Sequence, residues 1–308
     1  MRKAFVEALC SIAKRDPRVY LLTGDLGYSV LEPFIKQFPD RFVNMGVSEQ
    51  NMTSVAAGLA LSGKVALTYS IANFPTLRCL EQVRNDVCYH KANVKIVSVG
   101  GGMAYGSLGY THYALEDLAV MKTLPGMTVI APGDPAETRL ATEAMMKMNG
   151  PCYLRLGKAG EPTVHSQMPK NFKIGKALVL RQGRRLCLMS TGGMLKTAME
   201  LAERMEKIGI SAAVLSFHTL KPLDRKAIAF WSGLTKHVVT LEEHTSEGGL
   251  ADAVSRCVLE TGNNAIRFLS FATPDHLLTH VGTQDYLKQQ AGLSPDKIFQ
   301  GIKKWLSK

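Results

Sequence analysis

Ser48-Glu49-Gln50-Asn51-Met52 stands between a short apolar segment and a helix of small residues. An acid in the first turn of a helix, where a strand gives way, lies at the carboxyl end of a parallel sheet. In open α/β sheets ligands bind at that edge. Taken alone, the run is a helix start, with Ser48 as cap and Glu49 favoured by the positive end of the dipole. The rest of the chain asks more of it.

Outward from this run, short β-branched or apolar stretches recur between helical patterns. They are Val19–Leu22, Val65–Thr68, Val94–Val99, Thr128–Ala131, Cys152–Leu156, Leu186–Ser190, Ala212–Leu215, Val238–Leu241 and Ile266–Ser270. Bounded by Gly, Pro or polar turns, such stretches read as buried parallel strands. Ala4-Phe5-Ala8-Leu9-Ile12-Ala13 and Leu195-Ala198-Met199-Ala202-Met205 keep helical spacing between them. A last helix opens with Ser294 as cap and Pro295 in its first turn. Strands alternating with helices predict an α/β protein of two consecutive doubly wound domains with mostly parallel sheets. An aperiodic segment with two prolines near residues 158–174 marks the boundary. The expected division is 1–160, a linker at 161–173, and 174–308.

Composition narrows the function. The 308 residues are 46% hydrophobic and carry a net charge of +11, yet the basic residues are spread evenly. A nucleic-acid face would cluster them among aromatics. A phosphate-bearing ligand or an acidic partner surface suits the charge better. The cysteines (Cys10, Cys79, Cys88, Cys152, Cys187, Cys257) form no CxxC pair, so a zinc site or disulfide framework is not expected. No stretch reaches the roughly 18 apolar residues of a membrane span. A soluble, cytoplasmic protein without membrane or nucleic-acid partners is the expectation.

Together the motifs resemble one family. Gly24-Asp25, Phe38-Pro39-Asp40-Arg41-Phe42, Glu49-Gln50-Asn51-Met52, Gln82-Val83-Arg84 and Leu115-Glu116-Asp117-Leu118 are similar, in order and spacing, to the pyrimidine-binding domain of transketolase. Thr219 through Lys226, Glu242-Glu243-His244 and Glu247-Gly248-Gly249 resemble its C-terminal domain. The likeness covers nearly the whole chain and implies thiamine diphosphate chemistry. The family holds the cofactor's diphosphate and Mg2+ with a Gly-Asp-Gly…Asn motif in a separate N-terminal domain. Here the two Gly-Asp pairs continue as Leu26 and Pro135, so the motif is missing. The resemblance therefore implies a split enzyme. An alpha subunit would supply the metal site, two of each subunit would assemble, and this chain would hold no metal. Ketol transfer from a ketose to an aldehyde is the implied reaction. A 2-oxo acid dehydrogenase beta subunit shares the plan, and a non-catalytic subunit keeping the fold is a further alternative.

The resemblance also implies roles for single residues. Glu49 would hydrogen-bond the pyrimidine nitrogen N1′ and activate the cofactor. Burial against an aromatic ring favours its protonated form, while the helix N-terminus pulls the other way. The family's ring-stacking Phe aligns with Ala72, so Phe74 or Tyr69 can fill that place. Asp25 matches an acid near the cofactor, and Ser29 a serine near a substrate phosphate. In the Gly100–Gly109 stretch and on to His112, the family lines its substrate channel. His112 matches a cofactor- or substrate-facing histidine able to move protons near neutrality. Gly100 replaces a histidine at the phosphate end, Leu108 an acid that reads a sugar hydroxyl, and Lys158 an arginine. Those three departures imply a non-standard substrate. Read by itself, the glycine stretch is a flexible crossing. Arg78, Gln82 and Arg84 read as interface packing, and His218 and His244 as structural or interfacial.

Overall fold

The computed structural model describes residues 1–307. Its strands are β1 (Val19–Thr23), β2 (Phe42–Asn44), β3 (Val65–Ile71), β4 (Val94–Val99), β5 (Thr128–Ile130), β6 (Cys152–Leu156), β7 (Leu178–Arg181), β8 (Leu186–Ser190), β9 (Ala212–Ser216), β10 (Thr219–Lys221), β11 (His237–Thr245) and β12 (Arg267–Thr273). The helices are α1 (Arg2–Ala13), α2 (Glu32–Gln37), α3 (Glu49–Leu61), α4 (Leu80–Gln82), α5 (Asp117–Thr123), α6 (Pro135–Met146), α7 (Leu195–Glu206), α8 (Arg225–Thr235), α9 (Leu250–Glu260), α10 (Gln284–Gln290) and α11 (Pro295–Leu306). Among the described residues no helix is long and apolar enough to cross a membrane.

Two sheets result, each covered by helices. The first has the order β10-β5-β6-β4-β3-β1-β2, parallel throughout except for β10. The second runs β12-β11-β8-β9-β7, with β7 alone antiparallel. The sequence reading of two doubly wound, mostly parallel domains is what the structure has. Strands such as β4 and β6 are buried at every position, which is why they read as unbroken apolar runs. In the first sheet the winding reverses at β1. The carboxyl ends of β1 and β3 therefore flank the crevice in which open α/β sheets hold ligands.

β2, β7 and β10 were not legible as strands. Each lies at a sheet edge, and β2 and β7 have no fully buried residue. β10 crosses between the domains: it follows the second domain's β9, yet pairs antiparallel with β5 of the first sheet. Lys221 Nζ reinforces the crossing by donating to the carbonyl of Lys122 at 2.8 Å and to that of Leu124. Buried His244 adds to the seam, its Nε2 accepting from Ala119 N–H at 3.2 Å. Burial pushes that imidazole down to about 4, so it stays neutral at physiological pH. His218, likewise lowered to about 4 by burial, stacks on Phe172 at 4.0 Å. Both histidines are buried and neutral, and His244 bridges the two domains.

The connecting segment is tied down as well. Asp134 caps α6 through Oδ1, accepting Glu137 N–H at 2.8 Å. Its Oδ2 accepts the N–H groups of Val164 and His165 at 2.9 and 3.0 Å, and lies 3.1 Å from His165 Nδ1. Burial opposes charge on Asp134, but the His165 and backbone hydrogen bonds outweigh it and hold the carboxyl at about 2. Burial likewise opposes the imidazolium of His165, and its Asp134 bond with the Glu137 and Asp134 charges raises its pKa on balance. The neighbouring Glu137, fully buried, is pushed up to about 7 by burial. A histidine with a raised folded pKa stabilises fully below its unfolded value of about 6.5 and loses that contribution above its folded one. His165→Gln should therefore lower the melting temperature most at pH 5.5–6, with the gap to wild type narrowing as the pH is raised past neutrality. A gap constant across that range in paired thermal scans would refute the clamp.

Candidate active site at the carboxyl edge of the first sheet

The residues singled out in the sequence follow β1, β2, β3, β4 and β6, except for Tyr69, which lies within β3. Glu49 opens α3, and its side chain is only 2% exposed. Ser48 occupies the N-cap position but does not cap with its side chain; its Oγ donates to the Met45 carbonyl at 2.7 Å. Glu49 thus enters the core edge with no help from a serine cap. Gly24 lies beside it, the position of a Cβ there being 3.4 Å from Glu49 Oε1, an ordinary contact distance.

The partner of Glu49 is Arg78, whose Nη1 lies 2.7 Å from Oε2. The Arg78 guanidinium also sits over the Phe74 ring, 4.5 Å from its centroid. The Phe74 ring in turn meets His112 edge-on at 5.2 Å and 70°. This revises two sequence expectations. Arg78 belongs to the site rather than to interface packing, and Glu49 faces a counter-charge in addition to burial. The 29 residues between the two partners explain why local pattern hid the pair.

Phe74, not Tyr69, is the aromatic that the structure brings to Glu49. Side chains alternate along a strand, and Tyr69 falls on the face packed by α1, where it stacks on Phe5 at 6.0 Å. There its ring is fully buried, and burial lifts the phenol well above its ordinary value. Asp25 lies in the loop after β1 with φ 57°. Its Oδ1 accepts from Asn44 Nδ2 and from Tyr28 OH, both at 2.9 Å, and these bonds hold its carboxyl below the usual range. Ser29 follows at φ 61°, its N–H donating to Glu32 Oε1 at 2.6 Å.

The glycine stretch after β4 is not a flexible crossing. A Cβ on Gly101 would fall 2.4 Å from Arg155 Nε, and one on Gly102 2.5 Å from Glu243 Oε1. The backbone does cradle an anion here, but one from its own chain. Met103 N–H donates to Glu243 Oε1 at 2.6 Å, and Gln284 Nε2 and Lys288 Nζ complete that carboxylate's partners. Further along, Tyr113 OH donates to the His280 carbonyl at 2.6 Å. The second domain thereby fixes the loop that carries Leu108 and His112. Asn73 Nδ2 donates to the Thr111 carbonyl, and Thr111 Oγ1 lies 3.0 Å from His112 Nδ1. Leu108 is 52% exposed, and Lys158 places its ammonium 4.8 Å from the Tyr105 ring centroid.

This edge therefore holds a buried carboxylate, a stacked cation, an aromatic ring and a half-buried histidine. Comparison with known proteins then decides the family. Residues 1–161 match the transketolase pyrimidine-binding domain, and residues 175–298 match the transketolase C-terminal domain. The chain belongs to the transketolase family. It corresponds to the C-terminal half of transketolase. Among transketolase relatives, an apulose-4-phosphate transketolase subunit from Phocaeicola vulgatus is 35% identical, over 96% of this chain and 94% of its own length. A 6-deoxy-6-sulfo-D-fructose transketolase subunit from a Clostridium species is 36% identical, covering 97% and 92%. A solved split-gene transketolase, described as an inactive beta4 tetramer, is 36% identical with a TM-score of 0.88, over 99% of this chain and 97% of that one. The transketolase of Campylobacter jejuni shares the fold, with a TM-score of 0.79 at 18% identity, and this chain spans 46% of it.

Proposed function

We propose that this chain is the beta subunit of a split transketolase that works with thiamine diphosphate and transfers a two-carbon ketol unit from a ketose to an aldehyde. The arrangement of Glu49, Arg78 and Phe74 beside His112 carries this reading. A buried carboxylate beside an aromatic ring is the environment an aminopyrimidine needs, so Glu49 and Phe74 fit that half of the cofactor, in the place Arg78 now fills. When bound, thiamine diphosphate supplies an electron sink for the carbanion left by ketose cleavage. Glu49 would hold and share a proton at the pyrimidine nitrogen N1′. Arg78, 44% exposed at its side chain, would have to turn toward solvent to free the Glu49 carboxylate for N1′. Phe74 packs against the ring. Asp25 lines the cofactor, and His112 exchanges protons with substrate oxygens.

The site needs a second polypeptide. Tyr28 is 73% exposed and Val47 76%, three residues after Asp25 and two before Glu49, and Leu108 is 52% exposed in the loop after β4. Apolar surface gathered at a polar site marks a docking face. An alpha subunit with the Gly-Asp-Gly…Asn motif would cover it, bring the diphosphate and Mg2+ site, and assemble two-by-two in the cytoplasm. The two relatives named above act, by their names, on a ketose phosphate and a ketose sulfonate. Both end in a tetrahedral anion, for which Lys158 and Ser29 are the receiving groups here. Leu108 offers no partner to a sugar hydroxyl, so a less hydroxylated substrate is favoured.

Native purification of the tagged chain tests the reading. The expected product is a complex containing a companion of comparable size and bound thiamine diphosphate, active in ketol transfer. A lone homomer that takes up no cofactor would overturn it in favour of the non-catalytic alternative.

A further inference from the structure

Tyr105 has no role in the site as described so far. Gly100 opens its loop at φ 80°, and a Cβ there would lie 2.1 Å from Cδ2 and Cε2 of Tyr105. The tyrosine ring thus fills the volume that any side chain at residue 100 would need. One side of the site beyond it is Lys158, whose ammonium stands 4.8 Å from the ring centroid. The other is His112, its ring 6.5 Å away and tilted by 57°. Tyr105 is half-buried against the core beneath β4, and burial raises its pKa, so the hydroxyl remains protonated. Its ring is what meets Lys158 and His112.

We infer that Tyr105 is the specificity-determining residue of the substrate channel. It pins the Lys158 ammonium over its ring and walls the space between that charge and His112 with an apolar surface. This rests on the transferase reading above. A lysine has a long flexible stem, and an aromatic face beneath its charge restricts where the charge can sit. A substrate hydroxyl pressed against Tyr105 and exposed Leu108 loses its water and gains no partner. The channel accordingly takes a short aldehyde that ends in a tetrahedral anion, phosphate or sulfonate, with few hydroxyls between its ends.

The test uses the complex purified with its partner, and hydroxypyruvate as ketol donor. Acceptors are D-glyceraldehyde 3-phosphate, its sulfonate counterpart 3-sulfolactaldehyde, the longer D-erythrose 4-phosphate, and neutral glyceraldehyde. Wild type should prefer the shorter anionic acceptors by about 10-fold or more in kcat/KM over erythrose 4-phosphate, the scale on which small pockets discriminate. Tyr105→Leu, which shortens the wall and frees Lys158 from the ring, should erase most of that preference by lowering KM for erythrose 4-phosphate. Tyr105→Phe, which keeps the ring, should retain it. Lys158→Met should raise KM for the anionic acceptors far more than for neutral glyceraldehyde. The phosphate and sulfonate arms tell which anion the channel favours, and a preference for either over neutral glyceraldehyde supports the inference. An active complex whose acceptor ratios are the same in Tyr105→Leu as in wild type would overturn the role of Tyr105 alone. A folded, cofactor-loaded wild-type complex that transfers no ketol unit would overturn the function on which it rests.

Discussion

Glu49→Gln should abolish most ketol transfer, by about 10²–10⁴-fold, the range typical of a lost acid–base group, while the subunits still assemble. Glutamine matches glutamate in shape, so the first turn of α3 and the space beside Gly24 are undisturbed. What goes is the charge and the capacity to share a proton at N1′. Arg78 loses its partner but is exposed enough to be solvated, so the folding cost stays near that of a partly exposed ion pair, about 1 kcal/mol or less. Single-turnover measurements on the reconstituted complex, together with its thiamine diphosphate content, check both halves of the expectation. Turnover within a few-fold of wild type would remove Glu49 from the chemistry.

The second large effect is on stability. Asp117 in α5 is 1% exposed, accepts from Tyr153 OH, and pairs with Arg155 Nε at 2.9 Å. Arg155, 6% exposed, also donates to the carbonyls of Ala114 and Glu243, on either side of the domain seam. Removing Asp117 leaves that guanidinium charged, buried and short of its counter-ion. Truncations of this kind cost about 3–5 kcal/mol, a large share of the roughly 5–15 kcal/mol that holds a domain together. Asp117→Ala should lower the melting temperature by roughly 6–20 °C. The double substitution Asp117→Leu with Arg155→Met removes both charges and should recover much of the loss, since apolar replacements of buried pairs are often tolerated. If the double variant melts lower than Asp117→Ala, uncompensated charge is not the cause of the loss.

How far the sequence could be read follows from how local each signal was. Apolar runs such as Val94–Val99 disclosed the central strands because both their faces are buried, and α11 disclosed its start because Ser294 and Pro295 act within one turn. β10 gave no sign, for three residues hold it and its partner lies some ninety positions earlier. Glu49 was legible from its place at a strand-to-helix transition. Arg78 was not, since its meaning depends on a carboxylate in another element. Ser48 had the right residue type for a cap, but the carbonyl of Met45 competes for its hydroxyl. The glycines after β4 looked slack because their neighbours, Tyr105, Arg155 and Glu243, are brought there only by the finished fold.

The crossing of β10 onto β5 bears on how the molecule can be taken apart. A fragment ending in the connecting segment would keep the first sheet but strip its last strand, baring the outer N–H and C=O groups of β5. Uncovered strand edges pair with whatever strand comes next, including another copy of themselves. The remaining fragment would carry Thr219-Leu220-Lys221 with nothing to pair against. The two domains are thus one cooperative unit for expression and unfolding, and a cut between them would yield two sticky halves rather than two modules.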